Sequence, residues 1–427
     1  MPLEANHLTD PNPKEPLRVP RLFLALGYSQ YRWLWANNIA ASLGRTSEML
    51  ALGWLVLIVT DSPFWVGVTS GLRGLAMVCF GLVGGVIVDR LDRRKILMVG
   101  QFLGGLLALS VGFLVATGQV QLWHLLVVAL IQGMSSVVLM PARNALTYDV
   151  VGRRSLLNAL ALNMMAMNIM RIVGSTIAGL LIDLAGLQGV YVLIAVSLVT
   201  SSVILALMGG SYKPLGADEP PWRNAQEGLT YVWNNRPVRS LLFMSMLMEA
   251  FAFSHHVMLP VMARDFLKVG GTGYGLLASA SGVGALASTA VLAYMGDFRA
   301  KSKLVMVAGG GFGLSLIAFA ISPQLPFSFI AAVVVLVLVG SMSMAYDTTM
   351  GALIQLLVHN AVRGRVMGLY VLTLGFTSLG GFLAGGIATI LSAPVAIGFG
   401  GSVVLAFIAG RMRSMIRIQE EVAPRLS

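Results

Sequence analysis

The sequence predicts an all-α membrane protein: twelve transmembrane helices in two pseudo-symmetric six-helix bundles. Three observations carry that expectation. Of 427 residues, 57% are apolar and only 11% are charged. An ordinary soluble domain carries roughly 25% charge, so lipid must form a large part of the solvent here. The few charges are bunched between long apolar runs. One such bunch recurs. Gly84-Gly85-Val86-Ile87-Val88-Asp89-Arg90-Leu91-Asp92-Arg93-Arg94-Lys95 has a weaker copy, Ala293-Tyr294-Met295-Gly296-Asp297-Phe298-Arg299-Ala300-Lys301-Ser302-Lys303, in which Asp297 stands 208 residues after Asp89. A charged hairpin present once in each half of an apolar chain points to a duplicated membrane protein.

Crossing the hydrocarbon layer takes about twenty apolar residues. The arm 1–32 is polar and proline-bearing at its start, without the apolar core and small-residue cleavage site of a signal peptide. Within it, 19–30 reads as a short interfacial helix. Spans follow at 33–60, 64–88, 96–117, 122–140, 156–182 and 190–208, a first bundle over 33–208. The polar stretch 209–238 contains Asp218, Glu219, Pro220, Pro221 and Asn234-Asn235. It reads as a cytoplasmic linker with a short surface helix around 222–233. Spans at 241–261, 274–295, 304–322, 327–346, 366–389 and 394–408 form a second bundle over 239–411, and 412–427 is a cytoplasmic tail. A second repeat supports the duplication: Val151-Gly152-Arg153-Arg154-Ser155-Leu156 precedes the fifth span and Ala361-Val362-Arg363-Gly364-Arg365-Val366 the eleventh.

Orientation follows from the bases. With twelve spans, 24 of the 29 Lys and Arg fall on the side of both termini, counting Arg143 there. Only Arg264 and Lys268 fall opposite, while Arg45, Arg73 and Arg171 lie within spans. Basic loops stay in the cytoplasm, so both termini are expected there, in a bacterial inner membrane. The same placement argues against nucleic acid as the reason for the net charge of +11. The single cysteine, Cys79, allows no disulfide within the chain. No phosphate loop, His-Glu-x-x-His helix or Gly-x-Ser-x-Gly elbow occurs. The expectation is neither enzyme nor cofactor protein.

At this point the chain resembles the major facilitator superfamily. Twelve spans in a six-plus-six arrangement with a central linker match it over nearly the whole length. Its loop between spans two and three reads Gly-x-x-x-Asp-Arg-x-Gly-Arg-Arg, matched here by Gly85, Asp89, Arg90, Arg93 and Arg94, with Asp92 in place of the second glycine. Pro141-Ala142-Arg143-Asn144-Ala145-Leu146 and Leu156-Leu157-Asn158-Ala159 are similar to the branch that contains the enterobactin exporter and macrolide-efflux permeases. The resemblance implies that Asp89 sits near Val366 and Asp297 near Leu156, each carboxylate on the N-terminus of a helix in the opposite half. Arg90, Arg93, Arg94, Arg154, Lys301, Asp347 and Arg365 would complete a cytoplasmic gate. The plainer reading is that these bases only set topology.

Ionisable groups at mid-membrane are costly and call for partners or a wet cavity. Arg45 and Glu48 stand three apart in span one, Arg73 is in span two and Arg171 in span five. The resemblance puts these spans around a central cavity. Glu48 is the proton-coupling candidate of this group, because a carboxylate changes charge and arginine does not. Glu249, His255 and His256 lie in span seven; Glu249 and His256 are seven apart and share a helix face. Both are further proton candidates, with His255 as a cavity charge. The alternatives are a fixed salt bridge for the first group and a histidine bonded to a backbone carbonyl for the second. Asn158, Asn163 and Asn168 read as helix-to-helix hydrogen-bonding residues. The methionines, 24 in all, suit adaptable apolar contacts or plain packing. Pairs such as Gly81/Gly85, Gly100/Gly104 and Gly381/Gly385 suit close helix crossing. The expected function is a monomeric secondary transporter with a small-molecule substrate and protons as partners, exporting drugs, siderophores or similar partly apolar molecules. The alternatives are an importer or facilitator of a small metabolite, or a non-transporting membrane sensor.

Overall fold

Gly186 decides the helix count. The computed structural model describes residues 21–213, 221–296, 300–359 and 362–422. Within it the apolar helical stretch Ser155–Met208 runs for 54 residues. A straight helix of that length would reach ~81 Å, well beyond the hydrocarbon thickness of about 30 Å. Gly186, at φ 69° and ψ 179°, breaks it into two helices. A residue with a Cβ is strained at that φ, and glycine is not. Gly152, at φ 62°, makes the preceding break in the same way.

Twelve membrane-length helices result among the described residues. They are α1 Ser29–Thr60, α2 Pro63–Val88, α3 Arg93–Ala116 and α4 Leu122–Arg153, then α5 (155–185) and α6 (187–208). After the linker helix α7 Pro221–Asn234 come α8 Arg236–Phe266, α9 Gly271–Met295, α10 Lys301–Ile321, α11 Ser328–Leu357, α12 Arg363–Ile390 and α13 Ala393–Val422. No strand occurs among the described residues. Residues 21–28 and the end of α13 mark one face of the bundle, here the near face; the loops after α1, α3 and α5 mark the far face.

Several elements depart from the sequence expectation. The final helix is much longer than 394–408. The segment expected as an interfacial helix is a short 3-10 turn, Arg21–Gly27, with Phe23 off helical geometry. The helix of span seven contains two π-helical turns, Glu249–Phe253 and Met262–Phe266, and α12 is interrupted between Leu372 and Gly375. Span four does not stop at Met140. Pro141 lies inside α4, which continues to Arg153; neighbouring helices make such prolines tolerable in membranes.

Polar side chains tie the first six helices together. Asn37 donates to Gln101 at 2.8 Å and to the Ser201 carbonyl at 2.8 Å. Asn163 accepts from Tyr31 at 3.0 Å and from Asn38 at 2.9 Å, and donates to Thr147 at 3.3 Å. In lipid, where apolar burial does not drive helices together, such bonds and small-residue contacts supply the cohesion.

Candidate functional site

The two sets of six helices meet across a cleft, and glycines set how closely. On one side, Gly67 of α2 crosses α12 so tightly that a Cβ would come within 2.8 Å of the Gly381 carbonyl and 2.9 Å of Gly385 Cα. On the other, a Cβ at Gly275 of α9 would lie 2.4 Å from the Ser175 carbonyl and 2.8 Å from Gly179 Cα of α5. Lower on this crossing, Thr176 and Ser279 hydroxyls are 2.8 Å apart, and Ser279 donates to the Ile172 carbonyl at 2.9 Å. Trp54 of α1 stacks on Tyr274 of α9 with ring centroids 5.1 Å apart.

Charge reinforces this closure at the far face. The Asp183 carboxylate, at the end of α5, accepts the Gly271 and Thr272 amides at 2.8 Å each. It thereby caps the N-terminus of α9, where an anion is favoured by unpaired amides and the helix dipole. Arg264 of α8 pairs with Asp61 at 2.6 Å and donates to the Leu57 carbonyl of α1 at 3.1 Å, while its Nε binds neighbouring Asp265.

Beneath this seal lies a cavity of about 230 Å³, lined by Thr46 and Gly53 of α1, Arg73 of α2, Arg171 of α5, His256 of α8 and Tyr274 of α9, among others. Of the mid-membrane candidates, Arg73, Arg171 and His256 reach it directly. Glu48 lies within electrostatic range of Arg73 and Arg45. Beside it lies the buried Gln132 of α4. Arg45 donates to Ser42 at 3.0 Å. His255 does not face the cavity. It is buried, with Nδ1 2.6 Å from the Ala252 carbonyl and its ring 5.8 Å from Phe312. The π turn at Glu249–Phe253 also shifts the helix phase between Glu249 and His256. Glu249 is buried and accepts a hydrogen bond from Thr377 of α12, just past the interruption in that helix. Its titratable neighbour is Asp347.

Two placements correct the sequence reading. Asp347, expected at the cytoplasmic gate, is ten residues inside the near end of α11, within electrostatic range of Glu249 and Arg171. Arg143, counted among the loop bases, is buried in α4 in electrostatic range of Arg45, its Nη1 4.0 Å from Met167 Sδ. Polar Arg143-Asn144 beside a proline imitates a loop in sequence; only the continued helix reveals the burial.

The charged hairpin at the near face is bound within its own half. Asp92 caps α3 by accepting the Arg94 and Lys95 amides at 3.0 and 3.3 Å, and reaches Ser211 and the Tyr212 amide at 2.9 and 3.2 Å. Burial pushes the Asp92 carboxyl up, but the Ser211 hydroxyl and the Lys95, Tyr212 and Arg94 amides outweigh it and hold the group below the usual carboxylate range. Arg94 donates to the carbonyls of Leu205, Ala206 and Gly210 at the end of α6. Arg93 pairs with Asp149 of α4 at 2.6 Å. The expected reach of Arg93 and Arg94 into the other half is therefore not made: carbonyls and a carboxylate of the first half occupy both. Arg365 pairs with Glu227 of α7, not with Asp89. Among the described residues the Asp89 and Arg90 side chains make no hydrogen bond or ion pair, and a Cβ at Gly85 would meet nothing within 4 Å. Lys301 is buried at the start of α10. Asp297 and the Arg154 side chain lie outside the described residues.

The chain was compared with known proteins. The enterobactin exporter EntS of Shigella boydii serotype 18 is 24% identical over 374 residues, 84% of this chain and 88% of that protein. The staphyloferrin A transporter of Staphylococcus aureus is 19% identical over 361 residues, 82% and 88% of the two chains. Among solved structures, a bacterial homologue of the iron transporter ferroportin superposes with a TM-score of 0.71 at 17% identity, covering 91% of this chain and 98% of that one. The nucleoside transporter NupG gives 0.67 at 13%, covering 92% and 98%. A family model described as transmembrane secretion effector matches residues 23–426. With that match, the chain belongs to the transmembrane secretion effector family of the major facilitator superfamily, and it is a membrane transporter.

Proposed function

We propose that the chain is a proton-coupled exporter of siderophores, drugs or similar partly apolar molecules, working by alternating access as a monomer in a bacterial inner membrane. The observation that carries this reading is the cavity between the two sets of helices. It is sealed on the far side by contacts that cross the cleft, with ionisable groups around it. The near face carries the clustered bases, Arg90, Arg93, Arg94, Lys95, Arg363 and Arg365 among them, which supports its being cytoplasmic. The substrate would then enter from inside and leave once the far seal parts. The names of the relatives, an enterobactin exporter and a staphyloferrin A transporter, support export of siderophores.

Proton coupling would rest on Glu48 and Glu249. Glu249 opens a π-helical turn and bonds to α12 beside its interruption. Such turns collect at functional sites, and both irregular helices can change shape there. Loss or gain of the Glu249 charge would bias that local geometry. Glu48, between Arg45 and Arg73, would do the same for α1 and α2. Asp347 joins Glu249 as a second carboxylate of this site.

The test is drug and siderophore efflux from a strain lacking the gene, then pH-gradient-driven transport of the active compound in everted vesicles. Glu48→Gln and Glu249→Gln are expected to reach the membrane in normal amount and to lose uphill transport, at least tenfold. Full gradient-driven transport by both variants would remove these proton sites. Accumulation of the compound by intact cells carrying the unaltered protein, above the level in the strain lacking the gene, would replace export by import.

A further inference from the structure

Building on the transport reading, we infer that the cleft takes hold of its substrate by an acidic group, gripped by Arg73 and Arg171 and backed by Arg45 and Arg143.

Arg73 of α2 and Arg171 of α5 line the cavity, and Arg45 of α1 lies in electrostatic range of Arg73 and of Arg143 of α4; all four stand in membrane-spanning helices of the first half. None of the four makes an ion pair among the described residues. Arg143 is 8% exposed, and its Nε has no hydrogen-bond partner. Against these four charges, Glu48 is the one acidic residue in the middle of the first six helices. Arginine stays charged at any physiological pH, and charge held unpaired in a membrane is costly. A site that keeps four guanidiniums without a matching set of carboxylates is built for a charge that arrives from outside.

The second half does not cancel the excess. Its carboxylates in the middle of the described membrane-spanning helices are Glu249 and Asp347. Glu249 is held by Thr377, and Asp347 lies in electrostatic range of both Glu249 and Arg171. Neither lines the cavity, whereas Arg73 and Arg171 do. His255 is turned into the helix packing, and His256 is the second-half histidine in the wall. A cation entering the cavity would meet the arginines first. A neutral molecule would leave them unpaired. A carboxylate, phosphate or phenolate would accept the paired N–H bonds that a planar guanidinium offers. Gln132, buried next to Glu48, supplies further hydrogen-bonding groups nearby. The volume of about 230 Å³ is below the roughly 300–1,000 Å³ of sites that enclose a drug-sized ligand. It suits one acidic end of a molecule, with the apolar remainder along Met49, Val257 and Pro260.

The test is equilibrium binding by titration calorimetry, with the full chain in nanodiscs at low ionic strength. The probes are phthalate, its neutral dimethyl ester and tetraphenylphosphonium. Phthalate is expected to bind at least tenfold more tightly than the ester. Arg73→Gln and Arg171→Gln should each remove that preference, and Lys268→Gln on the far loop should not. Arg73→Lys and Arg171→Lys keep the charge and should keep part of the preference; they carry the test if the glutamine variants fail to fold. Equal affinity for phthalate and its ester, tighter binding of tetraphenylphosphonium, or a preference intact in both glutamine variants would overturn the inference. No gradient or flux enters the measurement. A chain that prefers phthalate but moves nothing would overturn only the transport reading, and one that exports without this preference only the acidic-group assignment.

Discussion

At the far end of the cleft, charge crosses between the two sets of helices; at the near end, the pairs Arg93–Asp149 and Arg365–Glu227 stay within one half or reach the linker helix. Asp183 of α5 caps α9, and Arg264 of α8 reaches Asp61 and α1. On the near face, Asp92, Arg93 and Arg94 bind α3, α4 and α6 of their own half, and Arg365 binds the linker helix. The geometry that the family resemblance placed at Asp89 and Asp297, a carboxylate on the N-terminus of a helix across the cleft, is found at the opposite end of the molecule. A hairpin can thus serve two tasks with different residues. Asp92 and Arg94 fasten α3 to α6. Asp89 and Arg90 are left without side-chain partners among the described residues, available for a near-side contact when the far side opens.

The largest expected effect comes from forcing the far crossing apart. Valine at Gly275 would drive a Cβ into the Ser175 carbonyl at 2.4 Å and Gly179 Cα at 2.8 Å. Backbone cannot give way as a side chain can, and overpacking of this kind costs typically about 1–3 kcal/mol. Gly275→Val should abolish transport and open the far side. A cysteine at Ala278, in a Cys79-free background, should then react at least tenfold faster with an impermeant thiol reagent applied from that side. Unchanged labelling with unchanged transport would show that this crossing is not the seal.

Next is Asp89→Asn. With no side-chain partner among the described residues, the substitution should leave thermal stability within about 0.5 kcal/mol. If Asp89 caps α12 only when the near side closes, transport should still fall at least tenfold. Loss of stability in step with transport would make Asp89 structural, and loss of neither would end its part in the gate.

The fold was legible because length, apolar runs and placement of bases repeat on the scale of a bilayer, and no fine geometry is needed to read them. The site was legible only in parts. Arg45, Glu48, Arg73, Arg171 and Glu249 stood out as charges inside apolar runs. Arg143 did not, because Pro141 and Asn144 disguised a helix as a loop. The pairing of Glu249 with Asp347 was hidden by the π turn at Glu249–Phe253, which shifts the helix phase without any mark in the residue pattern. Asp183 falls just past the expected end of the fifth span at 182; its capping of Gly271 depends on how close Gly179 and Gly275 allow α5 and α9 to come.

Asp92→Asn should have a smaller effect, confined to the near face. It weakens an N-cap and the link to Ser211 and Tyr212, worth about 0.5–2 kcal/mol for a lost cap. The pH dependence has a definite sign. The carboxyl is held below its ordinary value in the folded protein, so its contribution is present above the unfolded pKa of about 3.9 and lost as pH falls through the lower folded value. The gap in stability between native and variant should be constant near neutrality and shrink only below about pH 4. A gap that changes between pH 6 and 8 would contradict the assignment.

The smallest expected change is at Arg264→Gln. Its partner Asp61 is 84% exposed, and a solvated pair of this kind contributes about 0–1 kcal/mol. Glutamine leaves Asp183 on α9 and Gly275 against α5, so the seal should hold. Thermal stability should drop by less than about 1 kcal/mol, while far-side labelling at Ala278 should rise by no more than about fivefold, the factor that 1 kcal/mol allows. High salt should narrow the difference, since exposed pairs are screened. Labelling as fast as in Gly275→Val would reverse the order argued here. It would make the ion pair, and not the glycine crossing of α5 and α9, the contact that holds the far end shut.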